Sequence, residues 1–170
     1  MAKQSSLPQP NDVTITDMAG RLADVQLFEN VERAELDNLA AKATVKHLPA
    51  HAMLSDQQAA DRDLYIVVRG HLEVWLDPST LGALGAAHKL ATLFADEVAG
   101  ELALVDGGVR SARLQAGDEG VSVICLSQSA ILDRCDANPV FGYTLMRNLA
   151  AMLALRSRLT ALSVQTQPPL

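Results

Sequence analysis

The chain is 170 residues long, 49% hydrophobic and 20% charged, a balance that fits one globular domain with its own core. Acidic residues outnumber basic ones 20 to 14, and the formal charge of −6 disfavours non-specific nucleic-acid binding, which needs many Lys and Arg beside phosphates. No apolar run is long enough to span a bilayer and no charged-then-apolar leader opens the chain, so a cytoplasmic protein without a membrane partner is expected.

Residues 1–13 are polar and carry Pro8 and Pro10, which predicts a loose tail. From Ile15 to Leu27, apolar residues at 15, 18, 22 and 25 recur at helical spacing. Asn30 reads as the N-cap of a second helix with an apolar face of Val31, Leu36, Leu39 and Ala43, although Arg33 leaves the capping box incomplete. Beyond Val45 the pattern turns to strands. Leu64–Val68 and His71–Trp75 are β-rich, and Arg69-Gly70 between them reads as a turn. Asp77–Ala87, with Pro78, Gly82 and Gly85, predicts a mobile loop. His88–Phe94 predicts a further strand, as do Arg110–Ala116 and Val121–Leu126, the last two parted by the turn Gly117-Asp118-Glu119-Gly120.

Ser127 or Ser129 caps a helical segment through Asp136. Asn138-Pro139 then places a capping side chain before a proline at the first helical position of a helix from Val140 to about Leu162. That helix carries two apolar stripes. Phe141, Leu145, Leu149 and Leu153 can pack on the strands. Met152, Leu155, Leu159 and Leu162, in the coiled-coil rhythm, can meet a second subunit. The fold class expected is α+β: a β-roll, a jelly-roll-like barrel over about 45–127, with N-terminal helices and C-terminal helices over about 128–163. The domain would span 14–163, with 164–170 as a tail.

The chemistry concentrates in Val98-Ala99-Gly100-Glu101-Leu102-Ala103-Leu104 and, after a short turn, Val109-Arg110-Ser111-Ala112. Gly100 lets the backbone approach a ligand, and the start of the following helical turn presents unpaired N–H groups. Arg110 offers a planar fork of donors suited to phosphate and Ser111 a hydroxyl beside it, whereas Glu101 suits a sugar hydroxyl. Together with Tyr65–Val74 and the opening Leu27-Phe28 before Glu35-Leu36, these residues resemble the cyclic-nucleotide-binding domain family of the catabolite activator protein, covering about residues 25–160.

The resemblance implies that Arg110 neutralises a cyclic phosphate and Glu101 holds the ribose 2′-hydroxyl. Backbone groups near Gly100, Leu102 and Ala103, with Ser111 and Ala112, would complete the cradle. It implies a non-enzymatic sensor that binds cAMP or cGMP and repositions its C-terminal helix, with that helix also the dimer contact and an effector protein as the output. Ser111 resembles the cAMP-binding bacterial members. The alternative is a dimerising scaffold with a degenerate pocket, favoured by Ala99 where the family usually has an aromatic and by the acidic pair Asp96-Glu97. No helix-turn-helix fits after the long helix, so direct DNA binding is not expected. No metal site is expected from His47, His51, His71 and His88, since Pro49 breaks the only close pair. Cys125 and Cys135 read as reduced, Tyr65 and Trp75 as sheet residues. Arg156 and Arg158 read first as solvent-facing charges; alternatively, one reaches a nucleotide base.

Overall fold

A computed structural model describes residues 15–165, with side chains over 18–159. The tail expected over 1–13 and the side chains of Ile15 and Leu162 lie outside these residues. Helices α1 (Ile15–Ala23) and α2 (Arg33–Ala40) precede six strands, β1 (Thr44–Leu48), β2 (Met53–Ser55), β3 (Leu64–Leu76), β4 (His88–Leu93), β5 (Val98–Ala99) and β6 (Arg113–Leu126). The short helix α3 (Ala103–Asp106) lies between β5 and β6, and α4 (Gln128–Ala137) and α5 (Pro139–Gln165) close the chain. The α+β roll with a long terminal helix is therefore as the periodicity predicts, and α5 continues to Gln165, past the expected Leu162.

The strands form one antiparallel sheet in the order β1-β6-β3-β4, with β2 on β6 and β5 on β3. Two expected turns are not turns. Arg69-Gly70 lies inside the continuous 13-residue β3, and Gly117–Gly120 inside the 14-residue β6. The two long strands pair from Leu64↔Leu126 to Trp75↔Arg113, and the register shifts on both sides of Arg69-Gly70. Gly70 and Gly120 have φ of 76° and 77°, and a Cβ on Gly70 would collide with the Gly120 carbonyl. Glycine is used here to bend two strands past each other, where the bulged register curls the sheet into a roll.

Alternation along β3 and β6 divides the core. Leu64, Ile66, Ile124 and Leu126 face the helices and pack with Leu22, Phe28, Leu39, Ile131, Phe141 and Leu145. Tyr65, Val67, Val123 and Cys125 face the interior of the roll with Leu72, Leu93 and Leu114.

The second helix begins later than expected. Asn30 sits in the left-handed region at φ 60°, and Glu32 is the N-cap, without a side-chain capping bond. The segment Asp77–Ala87 contains a 3-10 turn, Pro78–Leu81, capped by the Asp77 carboxylate. Ser127 caps α4 by accepting from the Ala130 N–H at 3.2 Å, and Asn138 caps α5 through Oδ1. Asn138 Nδ2 also donates to the buried Glu35 carboxylate, which takes two further bonds from Arg134. Those bonds, from Arg134 first, hold the Glu35 carboxyl below its ordinary range and tie α2 to the α4–α5 elbow. Both cysteines are free, and burial pushes the Cys125 thiol up to about 11.

Candidate functional site

Strand β5 pairs with β3 through Tyr65↔Ala99 and Ile66↔Val98, which delivers the chain to Gly100 at φ 86°. Glu101 follows, and α3 starts after the cap residue Leu102, so Leu102 and Ala103 stand at the open end of a helical turn. Gly107, at φ 62°, closes that turn and lets the chain double back to Arg110. Backbone bonds then anchor Arg110 to the β2–β3 connection: its N–H donates to Ala59 at 3.0 Å, and its carbonyl accepts from Gln58 at 2.9 Å.

The Arg110 side chain is 4% exposed and is held by the protein's own groups. Nε donates to Asp61 Oδ2 at 3.0 Å, while Nη2 donates to Asp61 Oδ1 and to the Asp63 carbonyl. Cζ lies 4.9 Å from the centre of the Tyr65 ring. Asp61 in turn accepts from Ser55 Oγ, from the Tyr65 hydroxyl at 3.0 Å and from the Asp63 N–H at 3.1 Å. Burial alone would raise the Asp61 carboxyl, but the Arg110, Ser55 and Asp63 bonds outweigh it and bring it down to about 2. Burial and the Asp61 charge together push the Tyr65 phenol well above its ordinary value. Burial works against the Arg110 charge, and Asp61 more than offsets it, so the guanidinium stays protonated.

One nitrogen is left over. Arg110 Nη1 is buried with no hydrogen-bond partner, an arrangement that leaves a charged donor unsatisfied. A Cβ on Gly100 would collide with that same atom and with the Asp63 carbonyl, so glycine is what leaves Nη1 its space. Arg110 lines a cavity of about 660 Å³, as do the other residues expected at the site: Gly100, Glu101, Leu102, Ala103, Ser111 and Ala112. Val74, Leu93 and Leu114 supply an apolar wall, and Arg156 and Leu159 of α5 reach the same cavity.

Glu101 is 6% exposed and already partnered. Arg156 Nη1 donates to Glu101 Oε1, and Arg156 Nη2 lies 3.4 Å from the Val98 carbonyl. The first reading of Arg156 as a solvent-facing charge is thus corrected: it is half exposed but ion-paired into the pocket. Arg158 remains exposed, its Nε on the Ala154 carbonyl at 3.2 Å.

Sequence reasoning missed Asp61 and Ser55, and reached Arg156 only as an alternative. Asp61 lies in a polar connection with no periodicity, 49 residues from Arg110, and only the return of the chain at Ala59 brings the two together. Tyr65, read as a core residue, is that and also the ring on which Arg110 rests. Of the acidic pair, Glu97 is exposed on the cavity rim and accepts the Phe94 N–H at 2.7 Å. The His47 ring bonds Ser122 at 2.8 Å, and His51 lies 3.6 Å from Asp118. Trp75 donates to Glu73 at 3.0 Å and does not line the cavity.

A buried donor without a partner beside a glycine, and a carboxylate lining the same cavity, suit a ligand that carries both an anionic oxygen and a hydroxyl. The cyclic nucleotide-binding domain model matches residues 45–138, more than half of the chain. A cyclic nucleotide-binding domain from Methylobacillus flagellatus superposes with a TM-score of 0.73 at 20% identity, covering 92% of this chain and 86% of that one. The catabolite activator protein of Thermus thermophilus is 27% identical with a TM-score of 0.67, over 82% of this chain and 62% of that one. An uncharacterised NTE family protein of Mycobacterium tuberculosis is 25% identical over 138 residues, 81% of this chain but only 22% of the relative's length. No described helix is long and apolar enough to cross a membrane. The chain belongs to the cyclic nucleotide-binding domain family.

Proposed function

We propose that this domain is a sensor that binds a 3′,5′-cyclic nucleotide through Arg110 and Glu101 and reports it through α5. The single observation that carries the reading is Arg110 Nη1, a buried donor with no hydrogen-bond partner on a residue that lines one cavity with Glu101. In this assignment Nη1 and the Ser111 hydroxyl take the cyclic phosphate, with the N–H groups of Leu102 and Ala103 and the backbone of Gly100 and Ala112 closing around it. Glu101 accepts the ribose 2′-hydroxyl. That hydroxyl and Arg156 compete for the same carboxylate, so ligand binding weakens one tether of α5 and shifts its preferred position. Leu155 and Leu159, both exposed on α5, suit contact with a second copy or an effector protein. Ser111 beside Arg110 favours cAMP over cGMP.

A second reading has its own observation. Because Arg156 already satisfies Glu101, the fold is also consistent with a dimerising scaffold whose pocket is closed by its own helix. Calorimetry with cAMP and cGMP separates the two. A sensor gives saturable heat at sub-millimolar ligand, with cAMP the tighter; a scaffold gives none for either nucleotide.

A further inference from the structure

We infer that Asp61 determines which phosphates the site accepts: by occupying two of the three Arg110 nitrogens it restricts the cavity to singly charged phosphodiesters and excludes doubly charged phosphomonoesters. The inference rests on the nucleotide-binding reading above and concerns the charge of the ligand rather than its base.

A bare arginine fork presents two parallel donors and a full positive charge, and it suits a dianionic phosphate as well as a monoanionic one. Arg110 is not bare. Nε and Nη2 are turned onto Asp61, Nη2 also meets the Asp63 carbonyl, and Nη1 alone has no hydrogen-bond partner, lying against Gly100 on the cavity wall. The Asp61 carboxylate stands directly behind the guanidinium and stays ionised to strongly acidic pH. The other charges around the cavity do not restore a positive balance. Arg156 is matched by Glu101, and Glu97 on the rim adds one more negative charge. Among the described residues, two cations, Arg110 and Arg156, therefore stand against three carboxylates, Asp61, Glu97 and Glu101. One anionic oxygen can be met by Nη1 and the neighbouring N–H groups. A second negative charge on the same phosphorus finds no unmatched cation and faces Asp61 through the guanidinium in a setting that screens little.

Cyclic nucleotides are diesters with one charge. Their ring-opened hydrolysis products are monoesters that carry close to two charges at neutral pH, with a second pKa of about 6. Asp61 thus lets the site distinguish a cyclic nucleotide from its own breakdown product without a single contact to the sugar or base. No histidine lines the cavity among the described residues, so between pH 5.5 and 7.5 the changing charge is that of the monoester.

The experiment compares cAMP with 5′-AMP by calorimetry at pH 7.5 and 5.5, on wild type and on Asp61→Asn. If only the monoanion binds, its population sets the apparent affinity, and 5′-AMP binding tightens about 25-fold as pH falls while cAMP stays level. In Asp61→Asn the preference for cAMP over 5′-AMP at pH 7.5 shrinks by about tenfold, the loss expected for roughly one charge-assisted bond. A wild-type preference that does not change with pH, or 5′-AMP binding as tightly as cAMP at pH 7.5, overturns the inference. An unchanged preference in a folded Asp61→Asn overturns it as well; should that variant fail to fold, Asp61→Ser, which also removes the charge, takes its place. If neither nucleotide binds wild type, it is the sensor reading itself that falls.

Discussion

Asp61 receives more hydrogen bonds than any other side chain around the cavity, from Arg110, Ser55, Tyr65 and the Asp63 N–H. This is why its carboxyl sits at about 2, against an ordinary value of 3.8. A carboxyl depressed by folding contributes stability above its unfolded pKa and loses that contribution as pH falls through the folded one. The window is therefore about pH 4 down to about pH 2. With the side chain one-third exposed, the shift corresponds to about 1–2 kcal/mol after allowance for solvent screening. Urea midpoints measured from pH 5 to pH 2 should fall more steeply for wild type than for Asp61→Asn; equal slopes would mean the clamp adds nothing to folding. The seven cavity residues were legible from residue type and order, because glycine, a carboxylate and an arginine beside a serine carry their chemistry locally. The clamp behind Arg110 was not, since an aspartate in a polar connection looks the same whether it faces water or a guanidinium.

At the scale of elements, the determining piece is α5. Its first half is fixed by Phe141, Leu145 and Leu149 in the core and by Asn148, whose Nδ2 donates to the Leu27 and Glu29 carbonyls. Beyond Leu153 the described side chains are exposed, and the Arg156–Glu101 pair ties that segment to the cavity. Arg156→Ala should therefore quicken hydrogen exchange in α5 after Leu153. It should also tighten cyclic-nucleotide binding about two- to fivefold, because a half-exposed ion pair contributes up to about 1 kcal/mol and its loss frees Glu101. Weaker binding would instead make Arg156 a ligand contact. The expected stripe of Phe141, Leu145, Leu149 and Leu153 does pack inward, since helical periodicity reports burial directly. Strand continuity was harder to read. Arg69-Gly70 and Gly117–Gly120 have turn composition, yet the positive φ of Gly70 and Gly120 serves a crossing of β3 and β6, partners about fifty residues apart in sequence. A glycine needed by a distant carbonyl cannot be told locally from one needed by a turn.

For the whole molecule, two cores meet on opposite faces of β3 and β6, one under the helices and one inside the roll. The cavity lies where the interior of the roll opens beside α3 and is overhung by α5. Under the proposed function, one ligand meets the β2–β3 connection through Arg110 and its Asp61 partner, and the terminal helix through Glu101 and its Arg156 partner. The measurement that bears most directly on the phosphate assignment is the cAMP affinity of Arg110→Ala beside wild type, with circular dichroism verifying that both are folded. Loss of a buried charged partner corresponds to about 2–5 kcal/mol, so affinity should drop by a factor of roughly 30 to several thousand. A folded Arg110→Ala that binds cAMP as wild type does would contradict the assignment.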